Sequence, residues 1–360
     1  EIGSGLVGSE MCIRDRFNTA QKGRISVQKT GDIFTRVNKT SSAYTDEDGN
    51  MIENPTTYTP VFEIGNLSGA VFQVIASEDI LTADGTVRAN SGDVVAELTA
   101  DENGYAETDL LYLGKYEVKE INAPDGYVLN TESQFVELTY AGQEIEVRDT
   151  VNAAFVNDYQ RLEISLEKIL EQDETFAIGT NEEYKSVRFG LFAEEEITAA
   201  DGTFIPANGL IAEISLDENM KAVFSEKLPF AKYYVREIAA DEHYILSDEK
   251  YSVDFTYQGQ ETEVVSIDCG EFENKLKRGT VKGLKVGEYN KPLENAVFGL
   301  FKSDCTEFTK ENALITVKSD DKGCFSFADI PFGEFVVREI KAPKGYILSD
   351  KVYQVNITED

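Results

Sequence analysis

The sequence has no tryptophan, one histidine, four cysteines and few basic residues, and each shortage removes a class of function. With His243 alone, neither a Ser-His-Asp set nor a histidine-rich metal centre can be assembled. No glycine-rich phosphate loop is present. Asp46-Glu47-Asp48-Gly49-Asn50 hints at a calcium loop, but its glycine is misplaced and Thr57 stands where a bidentate Glu is needed, so it reads as a polar turn. No metal or other cofactor is expected. No apolar run approaches the roughly 20 residues of a membrane-crossing helix. No N-terminal stretch has the order of a signal peptide. Lys and Arg number 34 against 66 Asp and Glu, for a net charge of −32. Binding a phosphate backbone needs clustered Lys and Arg, so nucleic acid is excluded as a partner. The acidic surplus reads as a solvated, self-repelling exterior. Of the cysteines, Cys12 lies in a segment that fits nothing downstream, Cys269 stands alone, and Cys305 and Cys324 share one repeat and could pair. This is no disulfide framework, and a small extracellular domain would need another staple.

What the sequence does have is 17 Tyr and 21 Phe, which suit half-buried strands. Three segments share one pattern: Ala70-Val71-Phe72-Gln73-Val74, Val187-Arg188-Phe189-Gly190-Leu191-Phe192 and Ala296-Val297-Phe298-Gly299-Leu300-Phe301. Each is followed by a second landmark: Tyr116-Glu117-Val118-Lys119-Glu120-Ile121, Tyr234-Val235-Arg236-Glu237-Ile238 and Phe335-Val336-Val337-Arg338-Glu339-Ile340. A Tyr follows each Glu at the same distance, as Tyr127, Tyr244 and Tyr346. Each copy opens on an alternating strand that ends in Lys: Lys29, Lys168 and Lys285. The first two close on Phe155-Val156-Asn157 and Phe272-Glu273-Asn274.

The separations confirm the register. Phe72 to Glu120 is 120 − 72 = 48 residues, and Phe189 to Glu237 is 237 − 189 = 48. Glu120 to Asn157 and Glu237 to Asn274 are both 37 (157 − 120 and 274 − 237). Each closing Asn precedes the next Lys by 11 (168 − 157 and 285 − 274). Such a fixed period marks a tandem array. Period-two runs such as Gln134–Tyr140 and Tyr251–Tyr257, separated by Gly-containing turns, make the class all-β with sandwich repeats. The boundaries read as a non-native or residual leader at 1–18, repeat 1 at 19–160 with an insertion near 40–67, repeat 2 at 161–277 and repeat 3 at 278–360. Short linkers make a rod. In the leader, Met11–Arg16 resembles translated sequencing-adapter read-through. Asn18 lies 11 residues before Lys29 (29 − 18), as a closing Asn would. Repeat 3 stops short of its own closing Asn, so the chain is expected to be an internal piece of a longer rod, its third repeat incomplete.

Lys, Glu and Asn thus recur on the first strand, mid-repeat and on the last strand. Two readings follow. In one, Lys pairs with Glu as an ion pair and Asn caps a turn. In the other, the first and last strands lie side by side and the three groups meet in the core. Burial pushes an amine toward its neutral, nucleophilic form and a carboxyl toward its protonated form. A protonated Glu can then polarise the Asn carboxamide and shuttle protons, giving a Lys–Asn amide and ammonia in one turnover.

The runs Glu120-Ile121-Asn122-Ala123-Pro124-Asp125-Gly126-Tyr127 and Glu339-Ile340-Lys341-Ala342-Pro343-Lys344-Gly345-Tyr346 resemble the E-x-x-A-P-x-G-Y signature of Cna B-type (SpaA-like, prealbumin-fold) domains of Gram-positive pilins and surface adhesins. The resemblance covers residues 22–360. It implies tandem Ig-like, seven-stranded sandwiches with self-formed isopeptide bonds. In repeat 1 it implies Lys29 and Asn157 joined under catalysis by Glu120, and in repeat 2 Lys168 and Asn274 under Glu237. In repeat 3 it implies Lys285 and Glu339. Repeat 2 departs from the signature, reading Glu237-Ile238-Ala239-Ala240-Asp241-Glu242-His243-Tyr244, and His243 there reads as an exposed turn residue.

The function implied is a stalk segment of an extracellular, cell-wall-attached protein, not an enzyme on outside substrates. Its partners would be neighbouring repeats of the same chain and, through a sortase signal outside this fragment, the cell wall. The alternative is an adhesin module that contacts host matrix protein or glycan through the repeat 1 insertion, with Tyr44, Tyr58 and Phe62 as candidate contacts.

Overall fold

The computed structural model describes residues 18–45 and 51–358. The segment Glu1–Arg16 with Cys12, and the turn Asp46–Asn50, lie outside the described residues. Strand formation follows the alternation read from the sequence. Along Arg161–Leu170, Leu162, Ile164, Leu166, Lys168 and Leu170 are buried and the residues between them are not. Along Val151–Asn157 the buried set is Ala153, Phe155 and Asn157. Lys168 and Asn157 are in phase with apolar neighbours, and a period of two carries them to the core face regardless of their own preference for water.

The chain forms two compact units. The first comprises Glu1–Phe34, described from Asn18, with Phe62–Gln160 and Tyr257–Glu263. One layer of its sandwich centres on the opening strand Ile25–Thr40, which pairs antiparallel with Tyr105–Glu107 and parallel with the closing strand Val151–Asn157. Opening and closing strands can run parallel because the whole repeat forms the crossover between them. The facing sheet runs Gln134–Leu138, Gly114–Asn122, Val71–Ala76, Val94–Thr99. Ile25, Val27, Phe72, Val74, Val118 and Phe155 fill the space between the layers. Buried Gln160 joins the 257–263 segment to this unit, donating to the carbonyls of Gly259 (3.2 Å) and Thr262 (2.6 Å).

The second unit comprises Thr35–Val61, Arg161–Thr256 and Val264–Asp360, and holds two sandwiches. In repeat 2 the three-stranded sheet is Lys221–Phe224, Arg161–Leu170, Val264–Asn274, and the facing sheet is Leu210–Ser215, Arg188–Ala193, Ala231–Ala239, Lys250–Phe255. Repeat 3 repeats the four-stranded face as Ile315–Lys318, Val297–Lys302, Gly333–Lys341, Val352–Ile357. Its other sheet has two strands, Arg278–Leu284 and Cys324–Pro331. Among the described residues no strand pairs with the second edge of Arg278–Leu284.

Three features depart from what the sequence suggests. The segment Thr35–Val61, which overlaps the insertion read near 40–67, groups with the second unit: Asp201 donates its amide to the Thr35 carbonyl (3.0 Å), and Val37 donates to the Thr203 hydroxyl (2.7 Å). His243 is half-buried rather than exposed. Its ring lies edge-on to Phe332 at 5.9 Å and its Nδ1 sits 2.6 Å from Asp241, because the turn abuts repeat 3 inside this unit. Cys305 and Cys324 are both free thiols.

Candidate functional site

Repeats 1 and 2 build the same constellation from three strands, and repeat 3 holds its Lys and Glu. The inward-facing Lys sits within the opening strand in repeats 1 and 2, toward its start as Lys29 and toward its end as Lys168, and one residue past the strand's end in repeat 3. Its position is pinned by the turn opposite: the amides of Lys29, Lys168 and Lys285 donate to the carbonyls of Gly104 (2.7 Å), Met220 (2.8 Å) and Gly323 (2.7 Å). Each of these turn residues has positive φ. A Cβ on Gly104 would meet the Lys29 carbonyl at 2.2 Å, so close an approach that glycine is required there.

The Glu comes from the signature strand. Glu120, Glu237 and Glu339 stand opposite Phe72, Phe189 and Phe298, and in every repeat the pairing register shifts beside this residue. A bulge inserts one residue and re-aims a side chain. Each carboxylate already faces the core in phase with Val118, Val235 or Val337 two residues before it, and the same bulge follows it in all three repeats. One carboxylate oxygen is then held by a backbone amide ten residues on: Asn130 at 2.9 Å, Ser247 at 3.0 Å and Ser349 at 3.1 Å.

The Asn arrives on the closing strand, which places Phe155 beside Lys29 and Phe272 beside Lys168. Asn157 and Asn274, two residues further along, turn into the same pocket. In repeat 1, Lys29 Nζ donates to Asn157 Oδ1, Asn157 Nδ2 donates to Glu120 Oε1 at 3.1 Å, and Nζ lies 3.4 Å from that same oxygen. In repeat 2 the distances are 2.6 Å for Lys168 Nζ to Asn274 Oδ1, 2.9 Å for Asn274 Nδ2 to each Glu237 oxygen, and 3.0 Å from Nζ to Glu237 Oε1. Both Lys–Glu pairs are sealed from solvent, with 0% side-chain exposure on all four residues. In repeat 3, Lys285 and Glu339 meet at 2.9 Å, and Lys285 keeps 17% exposure. The structure therefore brings together every candidate residue of repeats 1 and 2, and the Lys and Glu of repeat 3.

Burial pushes the Lys29 amine down from its ordinary 10.5 to about 8, against the opposing pull of Glu120, and Lys168 moves the same way for the same reason. An amine so placed is neutral in a substantial fraction of molecules near pH 8 and is a competent nucleophile. A depressed pKa in the folded state means that the unfolded chain binds a proton the folded chain refuses. Stability linked to Lys29 is therefore fully present above 10.5 and is lost as pH falls to about 8. In an Asn157→Ala chain, thermal melts of repeat 1 should rise as pH increases through this window, by on the order of 3 kcal/mol. Lys29→Met in that background should abolish the rise. A pH profile unchanged by Lys29→Met would show that Lys29 is not held in this way.

Aromatic rings wall the site. Phe72 packs on Phe155 at 5.0 Å and Phe189 on Phe272 at 5.0 Å, so the closing-strand Phe seals the triad. The landmark tyrosines lock the signature turn onto the opening strand: Tyr127 donates to the Asp32 carbonyl (2.7 Å) and Tyr244 to that of Glu171 (2.9 Å). Burial pushes the Tyr127 hydroxyl up to about 12. Phe62, offered as an exposed contact, instead packs against Phe34 (5.6 Å) and Tyr159 (5.2 Å) of its own sandwich. Tyr58 lies beneath Lys39 at 6.0 Å.

The sequence matches the SpaA prealbumin-like fold domain over residues 63–151, 176–268 and 279–360. The chain belongs to this family. Its fold is also that of the Bacillus anthracis TIE protein, with a TM-score of 0.56 at 20% identity over 90% of this chain; the chain spans 56% of that protein's length. Two major pilins align over 94% of the chain at 16% identity. BcpA of Bacillus cereus, 96% covered, has a TM-score of 0.36, and full-length SpaD of Corynebacterium diphtheriae, 91% covered, has one of 0.25. No curated protein matches the sequence. The three matched regions fall one in each repeat, so the SpaA repeats are tandem Ig-like sandwiches.

Proposed function

We propose that these SpaA repeats form a stalk segment of a Gram-positive, pilin-like cell-surface protein, and that repeats 1 and 2 each lock themselves with a Lys–Asn isopeptide bond. The observation that carries the reading is the pair of solvent-free triads, in which the Lys amine rests on the Asn carboxamide while Glu holds the carboxamide nitrogen. An ion pair with a turn-capping Asn would leave the Asn outside; here it lies between the charges. Proton transfer from the Lys29 ammonium to Glu120 leaves a neutral amine and a carboxylic acid. The amine attacks the Asn157 side-chain carbonyl carbon and forms the new C–N bond, and Glu120, which already accepts from Nδ2, passes the proton the amine gives up to that nitrogen. As the C–Nδ2 bond breaks, ammonia leaves with the proton that the attacking amine gives up through Glu120. Repeat 2 follows the same course through Lys168, Glu237 and Asn274.

Small sandwiches in tandem, whose described cysteines are all free, gain from such staples the resistance to unfolding that a surface stalk needs. The same reading places the protein outside the cell, anchored at the cell wall, with its own neighbouring repeats as partners. Packing of Phe62 into its sandwich argues against the insertion as an adhesive surface for matrix protein or glycan. Each bond expels one ammonia, about 17 Da. The intact chain should weigh two such losses less than its sequence; a mass equal to the sequence would overturn the reading.

A further inference from the structure

Repeat 3 differs from its neighbours on the outer face of its four-stranded sheet. In repeat 1, Gln73 lies on this face between Lys119 and Glu97, and in repeat 2, Gly190 lies between Arg236 and Glu213. Each of these rungs carries one cation and one acid. In repeat 3, Gly299 lies between Arg338 and Thr316, so the cation is kept and the acid is gone. One rung along, Val71 is flanked by Thr99 and Asn122, and Arg188 by Ser215 and Ala239. Val297 is flanked by Lys318 and Lys341 instead. Residues paired directly across a sheet share a face, so both lysines stand on this one.

A third lysine comes from the loop 303–314. The Phe301 ring lies over Gly299, where a Cβ would meet it at 2.6 Å, and Phe308 sits edge-on to Phe301 at 5.0 Å. That contact folds the loop back over the sheet. The result is a cleft of about 710 Å³, walled by Val297, Phe308 and Ile340 and lined by Lys310, Lys318 and Lys341. Among the described residues none of these three lysines has an ion-pair partner, in a chain with 66 acidic residues against 34 basic ones. The loop's own acids, Asp304, Glu307 and Glu311, do not line the cleft. Gathering like charges costs stability unless an anion joins them.

We infer that this cleft binds a linear oligophosphate. A lysine ammonium is a compact point charge that suits phosphate oxygens, whereas a planar carboxylate is matched by an arginine fork. Arg338, the fork on this face, is spent over the Phe308 ring at 4.8 Å. Lys318 and Lys341 stand on strands separated by one other, roughly 9–10 Å apart at the backbone. A single phosphate does not bridge that gap, and a run of linked ones does. The hydroxyls of Thr309 and Thr316 at the cleft supply further donors. The rest of the chain keeps its acidic surplus, so a short phosphate run is accommodated and a long nucleic-acid backbone is repelled. The cleft shares no residue with the Lys–Glu–Asn triads.

The test is titration calorimetry of the full chain at low salt. Tripolyphosphate should bind, with orthophosphate and citrate weaker by about tenfold or more. Lys318→Gln and Lys341→Gln should each weaken tripolyphosphate roughly tenfold, the loss of one charge-assisted hydrogen bond. Thr316→Glu restores the acid that repeats 1 and 2 carry, at an exposed strand position, and should abolish binding while the melting temperature holds. Lys119→Gln, on the matching face of repeat 1, should change nothing. Citrate binding as tightly as tripolyphosphate would overturn the phosphate assignment, and orthophosphate binding as tightly would overturn the spanning lysine pair. An abasic phosphodiester oligomer that binds more tightly than tripolyphosphate would overturn the free oligophosphate in favour of a polymer backbone. No binding of tripolyphosphate, or undiminished binding in the Lys318→Gln and Lys341→Gln double variant, would overturn the site.

Discussion

Replacing Lys29 with Ala should lower the melting temperature of repeat 1 by roughly 15–25 °C and open it to trypsin. The proposed link from Lys29 to Asn157 would span 128 residues and that from Lys168 to Asn274 would span 106. By analogy with disulfide loop closure, each restrains the unfolded chain by on the order of 5 kcal/mol. For a domain of this size that corresponds to a shift of roughly this extent. The decisive comparison is with Asn157→Ala. If Asn157 only donated a hydrogen bond, its loss would cost about 1 kcal/mol. With Asn157 as one end of the proposed link, its loss should match that of Lys29, and the double variant should be little worse than either single one. An Asn157→Ala chain that melts within a few degrees of wild type would contradict this.

The second large effect is kinetic. Glu120→Gln keeps volume and can still accept from the Asn130 amide, but it cannot carry a proton. General acid–base catalysis contributes about 10²–10⁴-fold, so bond formation in repeat 1 should slow by that factor. Newly synthesised chain, quenched in acid at intervals and weighed, should show wild type reaching two ammonia losses while Glu120→Gln stays at one. Glu237→Gln should do the same from the other side, because its triad lies in a different repeat. If either variant matures at the wild-type rate, its Glu is a structural partner and not the proton carrier.

Much of this site was legible in the sequence because its residues obey the strand period. Lys168 follows Leu162, Ile164 and Leu166 at steps of two, and Asn157 follows Phe155, so their inward direction could be read without coordinates. Equal Glu-to-Asn separations tied the strands together. The signature Glu keeps the same period, two residues after Val118, Val235 or Val337, but the bulge just past it was not legible, because a single skipped residue leaves no mark in composition. The amides of Asn130 and Ser247 were not legible either: any residue but proline can donate there. Membership of the units was also hidden. Gln260 belongs by sequence to repeat 2, yet its carbonyl accepts from the Leu129 amide (2.9 Å) and its side chain from that of Ala123 (2.8 Å). Phe176 belongs by sequence to repeat 2, just after its opening strand, but packs on Phe335 in the core of repeat 3. Such contacts depend on the surfaces the folded repeats present, which periodicity within one strand does not describe.

The central claim is covalent, and peptide sequencing tests it most directly. Wild-type chain should be denatured, digested with trypsin and a Glu-specific protease, and its branched fragments sequenced. The account predicts two branched species, one joining Lys29 to Asn157 and one joining Lys168 to Asn274, each about 17 Da lighter than the sum of its linear parts. Recovery of linear peptides alone, with all four side chains intact, would contradict it.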